Sequence, residues 1–133
     1  MRTIKIDWKS QWAQFAPGFK NGKAHIDLTR YGTKKMLLLQ PGPGFGDLSH
    51  PTTSLMLACM NGEMRNQTAL DIGCGSGILS LAALLMGAEK SLGIDIDEPA
   101  LIHARKNAKL NQLEHLSHFS TALPNRASGI VLI

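Results

Sequence analysis

The sequence predicts an α/β protein built on a doubly wound, mostly parallel sheet, and three observations carry that expectation. "QTALDI" (67–72) is an apolar run of strand length that enters three alternating glycines, Gly73, Gly75 and Gly77. "GILSLAALLMG" (77–87) then has helical length and is apolar nearly all round, as a buried helix is. "KSLGIDI" (90–96) returns to strand length. Strand, helix and strand in that order make a β-α-β unit, in which the helix carries the chain back and the strands run parallel.

The remaining elements follow in chain order. Residues 1–40 hold Trp8, Trp12 and Phe15, then the breaks Pro17, Gly18 and Gly22, then a strand at "KKMLLLQ" (34–40). They are expected to form an arm and linker, with residues 41–133 as the first half of a larger domain. "PGPGFGDLSHPTT" (41–53) is too broken for a regular element and reads as a loop with special backbone needs. Pro51 suits a first helical turn, and "TTSLMLACM" (52–60) continues it to a stop at Asn61-Gly62.

Beyond the second strand, Asp97, Glu98 and Pro99 form a helix start, with Asp97 placed to cap it. "ALIHARKNAKLNQ" (100–112) keeps Leu101, Ala104 and Ala108 on one stripe. A third strand is expected near "LSHFST" (116–121), and "GIVLI" (129–133) reads as a buried parallel strand. A sheet ending there leaves a long edge unpaired, so the fold is expected to be incomplete at its C-terminus.

Composition excludes several classes. The 133 residues allow one small domain, and 44% hydrophobic with 18% charged residues is ordinary for a globular chain. Charge is uneven: residues 1–66 carry nine Lys/Arg against four Asp/Glu, and residues 67–133 five against six. Lys20, Lys23, Arg30, Lys34 and Lys35 are dispersed with no aromatic platform among them, which favours a solvated face over a nucleic-acid patch. Cys59 and Cys74 lack metal or disulfide-framework spacing, which fits a reducing cytoplasm. No run approaches the roughly 18 apolar residues of a membrane span. A soluble cytoplasmic protein is expected, with no membrane and no metal.

The glycine turn narrows the ligand. A strand that meets a glycine turn and opens a helix is expected to bring unpaired N–H groups and the positive helix end to one spot. The dinucleotide fingerprint GxGxxG is broken by Ile78, which disfavours an NAD-binding reductase, and no GK[ST] follows. What remains is Asp71, a GxGxG turn, and Asp95 at the tip of the next strand, 22 residues past Gly73. An acidic tip suits a ribose, and acid beside the turn favours a cation over a pyrophosphate. A ligand with a ribose, a positive charge and no phosphate is S-adenosylmethionine.

These residues resemble the class I S-adenosylmethionine-dependent methyltransferases, whose first motifs match "LDIGCGSG" and "GIDID". With "PGPGFGDLSHPTT" ahead of that turn, and with Trp8, Trp12, Phe15 and Pro17 in the linker, the chain is similar to the ribosomal protein L-eleven methyltransferase family. The resemblance covers nearly the whole chain and implies a Rossmann-like fold of the class I methyltransferase type. It implies methyl transfer to an amino group of a protein, with a ribosomal protein as partner.

Carried over, the family's cofactor contacts fall on Thr52, Gly73 and Asp95. Asp71 and Gly75 complete the expected cofactor-binding set, with local backbone hydrogen bonding as the alternative for Asp71. The family's further asparagine would follow Ile133, and its substrate-recognition domain has no counterpart here. The family's FGTGxH is FGDLSH in this chain, which puts Asp47 and Leu48 at altered positions. No catalytic residue is assigned, because direct displacement from a sulfonium needs no enzyme nucleophile.

Plainer readings stand beside these. His50 sits where helix capping alone accounts for it, Cys74 is expected to pack behind the turn, and His115 and His118 have no third ligand nearby. Two other functions are retained. One is an RNA or small-molecule methyltransferase, favoured by an Asn/Asp-Pro-Pro-aromatic motif beyond the chain; the other is a non-catalytic S-adenosylmethionine-binding module.

Overall fold

The computed structural model describes residues 5–125 and 129–132. Helix α1 (Trp8–Phe15) starts at Asp7, whose carboxylate accepts from the Ser10 N–H at 3.2 Å and the Ser10 hydroxyl at 2.7 Å. It stops at Pro17, because the residue before a proline is pushed out of helical conformation. Strands β1 (Phe19–Lys20), β2 (Lys23–Asp27) and β3 (Met36–Leu39) then form an antiparallel sheet in the order β1-β2-β3.

Residues 5–40 therefore hold more structure than the single strand expected of them. The signal is Asn21-Gly22: both residues take left-handed φ values, +53° and +76°, and turn β1 into β2 as a two-residue hairpin. In β2 the alternation is clean, with Ala24 and Ile26 buried between partly exposed neighbours. The strands are too short for their periodicity to stand out in the sequence.

Helix α2 (Pro51–Met60), strand β4 (Thr68–Ile72), helix α3 (Ile78–Leu85), strand β5 (Lys90–Ile94), helix α4 (Glu98–Leu110), and strands β6 (Ser117–Ser120) and β7 (Ile130–Leu132) make up the rest. Ile133 of the expected last strand lies outside the described residues. The second sheet is parallel throughout, in the order β6-β5-β4-β7. Taken from β4 as first strand this is 3-2-1-4, the opening half of a doubly wound sheet, as expected.

One continuous core joins the two sheets. Leu37 and Leu39 of β3 and Ile26 of β2 are fully buried together with Leu57 of α2, Leu81 of α3 and Leu101 of α4. Burial of each such side chain contributes about 1.5–3 kcal/mol in transfer free energy. The expected stripe of Leu101, Ala104 and Ala108 is wholly buried. Asp97 occupies the cap position of α4 without making a side-chain capping bond, a departure from expectation. The C-terminal tips of β4 and β5 are thereby brought beside the 41–53 loop.

Candidate cofactor site

The strand β4 delivers Asp71 and Ile72 to a turn in which Gly73, Gly75 and Gly77 all have positive φ, at +77°, +54° and +84°. An L side chain is strained there, so the sequence needs glycine at these points. The first two glycines of this set differ sharply in their surroundings. A Cβ on Gly73 would meet no atom within 4 Å, so its face is open. A Cβ on Gly75 would lie 2.5 Å from the Phe45 carbonyl oxygen and 2.9 Å from the Phe45 nitrogen. Gly75 is required by the 41–46 loop packed on it, backbone against backbone.

The turn's own donors are occupied, which corrects the expectation of unpaired N–H groups. The Ile94 carbonyl accepts from the N–H groups of Gly73 at 2.7 Å and Cys74 at 3.0 Å. Asp95 Oδ2 accepts from Gly75 N–H at 3.0 Å, and the Phe45 carbonyl from Ser76 N–H at 2.8 Å. Gly77 N–H donates to the Cys74 carbonyl at 2.9 Å, and Ile78 N–H to Ser76 Oγ at 3.3 Å. A turn whose amides are spent in this way does not cradle a phosphate, since a phosphate is held by free backbone N–H groups.

Asp95 is partly exposed at the tip of β5. Its two oxygens are each oriented by one backbone bond, Oδ2 from Gly75 and Oδ1 from Asp97 N–H at 2.9 Å. A carboxylate has about four lone-pair sites, so both oxygens keep acceptor capacity toward solvent. This locking is not visible in the sequence, where Asp95 reads only as a ligand acceptor.

Asp71 is 1% exposed, and its Oδ2 accepts from the Ser80 hydroxyl at 2.7 Å and the Ser80 N–H at 3.1 Å. Its carboxylate thereby closes the first turn of α3, which has no side-chain cap of its own. Its pKa is raised to about 6: burial pushes it up most, the Ser80 bonds pull part of that back, and the nearby Asp95 charge adds to the rise. Cys74 is buried with a thiol pushed up to about 12, chiefly by burial, which fits packing and not nucleophilic attack.

A cleft opens between this turn and the start of α2. Thr52, Asp71 and Gly73 line it with apolar walls from Phe45, Met56 and Ile78. Gly75 and Asp95 stand at the turn and at the adjacent strand tip, linked to each other by their hydrogen bond. Thr52 lies at the first turn of α2, where His50 Nδ1 accepts its N–H at 3.3 Å and sits 2.8 Å from its hydroxyl oxygen. His50 also meets Phe45 edge-to-face at 5.7 Å. Its capping role is thus realised. His115 and His118 are exposed, and no cluster of three metal-ligating side chains occurs among the described residues.

At the altered positions 47 and 48 the backbone is strained. Leu48 takes φ +71°, the left-handed conformation that a glycine adopts freely, while Asp47 Oδ1 accepts from Ser49 N–H at 2.8 Å. For a non-glycine residue that conformation costs roughly 1–2 kcal/mol.

Sequence reasoning misses what holds the 41–46 loop in place. Asn107 of α4 accepts from Gln40 N–H at 2.8 Å and donates to the Ser76 carbonyl at 2.9 Å. Asn111 accepts from Leu38 N–H at 2.9 Å and donates to the Leu38 carbonyl at 2.7 Å. His103, Trp12 Nε1 and the Ser76 hydroxyl bond the backbone at Gly44, Gly42 and Gly46. The only sequence signal is the spacing of four between 103, 107 and 111, which puts these polar residues on one helix face.

Comparison with known proteins gives the family and the fold. The family model described as ribosomal protein L11 methyltransferase (PrmA) matches residues 3–131. The chain belongs to this family. A ribosomal protein L11 methyltransferase of Pseudomonas aeruginosa is 51% identical over 100 residues, which are 72% of this chain and 34% of that protein. One from Hahella chejuensis is 35% identical over 95% of this chain and 46% of its own length. The chain therefore spans about a third to about half of these relatives. A crystal structure of ribosomal protein L11 methylase from Lactobacillus delbrueckii subsp. bulgaricus superposes with a TM-score of 0.56 at 34% identity, covering 63% of this chain and 42% of that one. The family's fold is the Rossmann-like α/β arrangement seen here.

Proposed function

We propose that this chain carries the S-adenosylmethionine-binding half of a methyltransferase, with residues 41–133 as the first half of the catalytic domain and residues 1–40 as an arm packed on it. The observation that carries the proposal is the glycine turn: its amides are already bonded within the protein, its Gly73 face is open, and a carboxylate stands at the adjacent strand tip. That set suits a ligand that has a ribose and a cation and no phosphate. Family membership supports the same ligand.

Asp95, held by Gly75 and Asp97, accepts hydrogen bonds from ribose hydroxyls with an orientation fixed before the ligand arrives. Gly73 lets the ligand lie against the backbone, where a Cβ would intrude. Thr52 offers its hydroxyl oxygen to a cationic amine, and the buried charge of Asp71 lies behind the turn. Phe45, Met56 and Ile78 give the cleft apolar walls for the ligand to pack against. When bound, S-adenosylmethionine supplies a methyl group on a sulfonium, open to direct displacement by an amine. An amine that accepts the methyl must be neutral, and a lysine (pKa about 10.4) loses its proton more readily when desolvated.

The proposed acceptor is an amino group of a ribosomal protein, as the relatives' names indicate for them. The proposed compartment is the cytoplasm, in keeping with two free cysteines. No helix among the described residues is long and apolar enough to cross a membrane.

Calorimetric titration of this chain with S-adenosylhomocysteine, with NAD as control, tests the proposal. Saturable binding of the first alone is expected, and Asp95→Ala should weaken it by about 1.5–3 kcal/mol through loss of a charged acceptor. Equal binding of NAD, or an affinity indifferent to Asp95→Ala, would overturn the ribose assignment.

A further inference from the structure

His103 belongs to no motif of the family described above, yet it is 3% exposed and sits at the centre of the contacts that seat the 41–46 loop. Its Nδ1 accepts the Gly44 N–H at 3.0 Å, and its Nε2 lies 2.6 Å from the Gln40 carbonyl. A backbone amide only donates and a carbonyl only accepts, so the two bonds together require a neutral ring with its proton on Nε2. The ring is closely enclosed: a Cβ on Gly42 would lie 2.5 Å from its Cδ2, and Trp12 of α1 packs edge-on at 5.4 Å.

From that clip the chain runs directly into the cleft. Phe45 and Gly46, next to Gly44, form part of its wall, and Phe45 also receives the turn's Ser76 N–H. We propose that His103 is a positioning residue for the cofactor cleft: its neutral ring fixes Gly44 and Gln40 so that Phe45 and Gly46 stand against the glycine turn, and protonation of the ring releases them. The inference rests on the S-adenosylmethionine reading above only for what the cleft holds.

The chemistry of release is simple. A proton on Nδ1 turns the acceptor of Gly44 N–H into a second donor, so an attraction at 3.0 Å becomes a repulsion. Burial lowers the pKa of His103, the Gln40 bond raises it, and Lys106 one turn along the same helix lowers it. The residues that the loop, β3 and α1 bring to the ring are Gly42, Gly44, Gln40 and Trp12, none of them titratable. A lowered folded pKa gives a contribution that is fully present above the ordinary histidine value of about 6.5 and is lost as pH falls through the lower folded value. The clip is closed at neutral pH and opens in acid.

Two measurements on this chain test the proposal. The first is nitrogen-15 NMR without ligand, from about pH 8 down through the pH at which the His103 ring itself takes up its proton. The Gly44 amide resonance should move together with the His103 ring, with Nε2 protonated at the upper end; a Gly44 amide that ignores the ring overturns the clip. The second is the affinity for S-adenosylhomocysteine over the same range, for the parent chain, His103→Leu and His103→Asn, each first shown to unfold cooperatively.

The parent affinity should fall about tenfold toward acid, as loss of one buried hydrogen bond predicts. His103→Leu should be weak throughout, and His103→Asn should recover most of the neutral affinity through its carbonyl while losing the acid drop. A parent affinity flat with pH, or an acid drop of the same size in both variants, overturns the positioning role. Should the parent chain bind no S-adenosylhomocysteine at any pH, the cofactor reading falls, and the Gly44 resonance still decides the clip.

Discussion

Two glycine-rich loops meet at the cleft, and they are held by opposite means. The amides of the 73–77 turn go mostly to main-chain carbonyls, those of Ile94 at the end of β5, of Phe45 and of its own Cys74, with the Asp95 carboxylate as the one side-chain acceptor from another element. The 41–46 loop is held by side chains from far along the chain, chiefly His103 and Trp12. Where they touch, Gly44 and Gly75 each leave room for the other's backbone, since a Cβ on Gly44 would lie 2.5 Å from Ser76 N. The turn is held chiefly by main-chain groups, and the loop chiefly by side chains.

The largest expected effect falls on the shared contact. Gly75→Ala forces a methyl into the Phe45 backbone and strains a positive φ, so unfolding experiments should show a loss of about 3 kcal/mol or more. A loss below about 1 kcal/mol would mean that the loop yields easily and that the two regions are not coupled. Asn107→Ala removes the side chain that ties the start of the loop to the turn. It leaves the Gln40 N–H and the Ser76 carbonyl without buried partners and should cost about 2–3 kcal/mol in denaturant unfolding.

Asp71→Asn probes the junction behind the turn, where β4 is tied to the start of α3. The folded pKa of about 6 lies above the unfolded carboxylate value, so Asp71 is least unfavourable in acid and becomes a burden as pH rises toward about 6. The amide put in its place is neutral throughout. Thermal unfolding should therefore show the variant gaining on the parent between about pH 4 and 7, by about 2–3 kcal/mol, and a constant offset would refute the burial penalty.

The smallest effect is expected at the strained corner of the loop. In Leu48→Gly, relief of about 1–2 kcal/mol of strain is offset by chain entropy and lost packing, leaving stability within about 0.5 kcal/mol of the parent. A large loss would show that the Leu48 side chain holds the loop more firmly than its backbone strain opposes it.

What the sequence reveals divides instead between patterns that repeat nearby and partners that lie far along the chain. The strands around "QTALDI" and "KSLGIDI", the buried helix between them and the stripe of Leu101, Ala104 and Ala108 are legible because their patterns repeat within a few residues. Gly73, Thr52 and Asp95 are legible as a site through motif and spacing. The occupied amides of the turn are not, because their partners Ile94, Asp95 and Phe45 come from other elements. Nor is the α4 face of His103, Asn107 and Asn111, since polar residues spaced by four on a helix ordinarily face water. Only the return of β3 across that helix makes them interior. The Asn21-Gly22 hairpin has a local signal of its own, but strands this short leave its glycine looking like a mere break.

Asn111 has one more consequence. Its amide pairs with both the N–H and the carbonyl of Leu38, on β3, which ends its sheet, so a helix side chain stands in for the next strand. That partner lies 73 residues later in the chain. At ribosomal speeds of about 5–20 residues per second it is made roughly 4–15 s after Leu38. Throughout that interval "MLLL" (36–39) is an apolar segment whose outer edge lacks this partner, and synthesis of α4 supplies it.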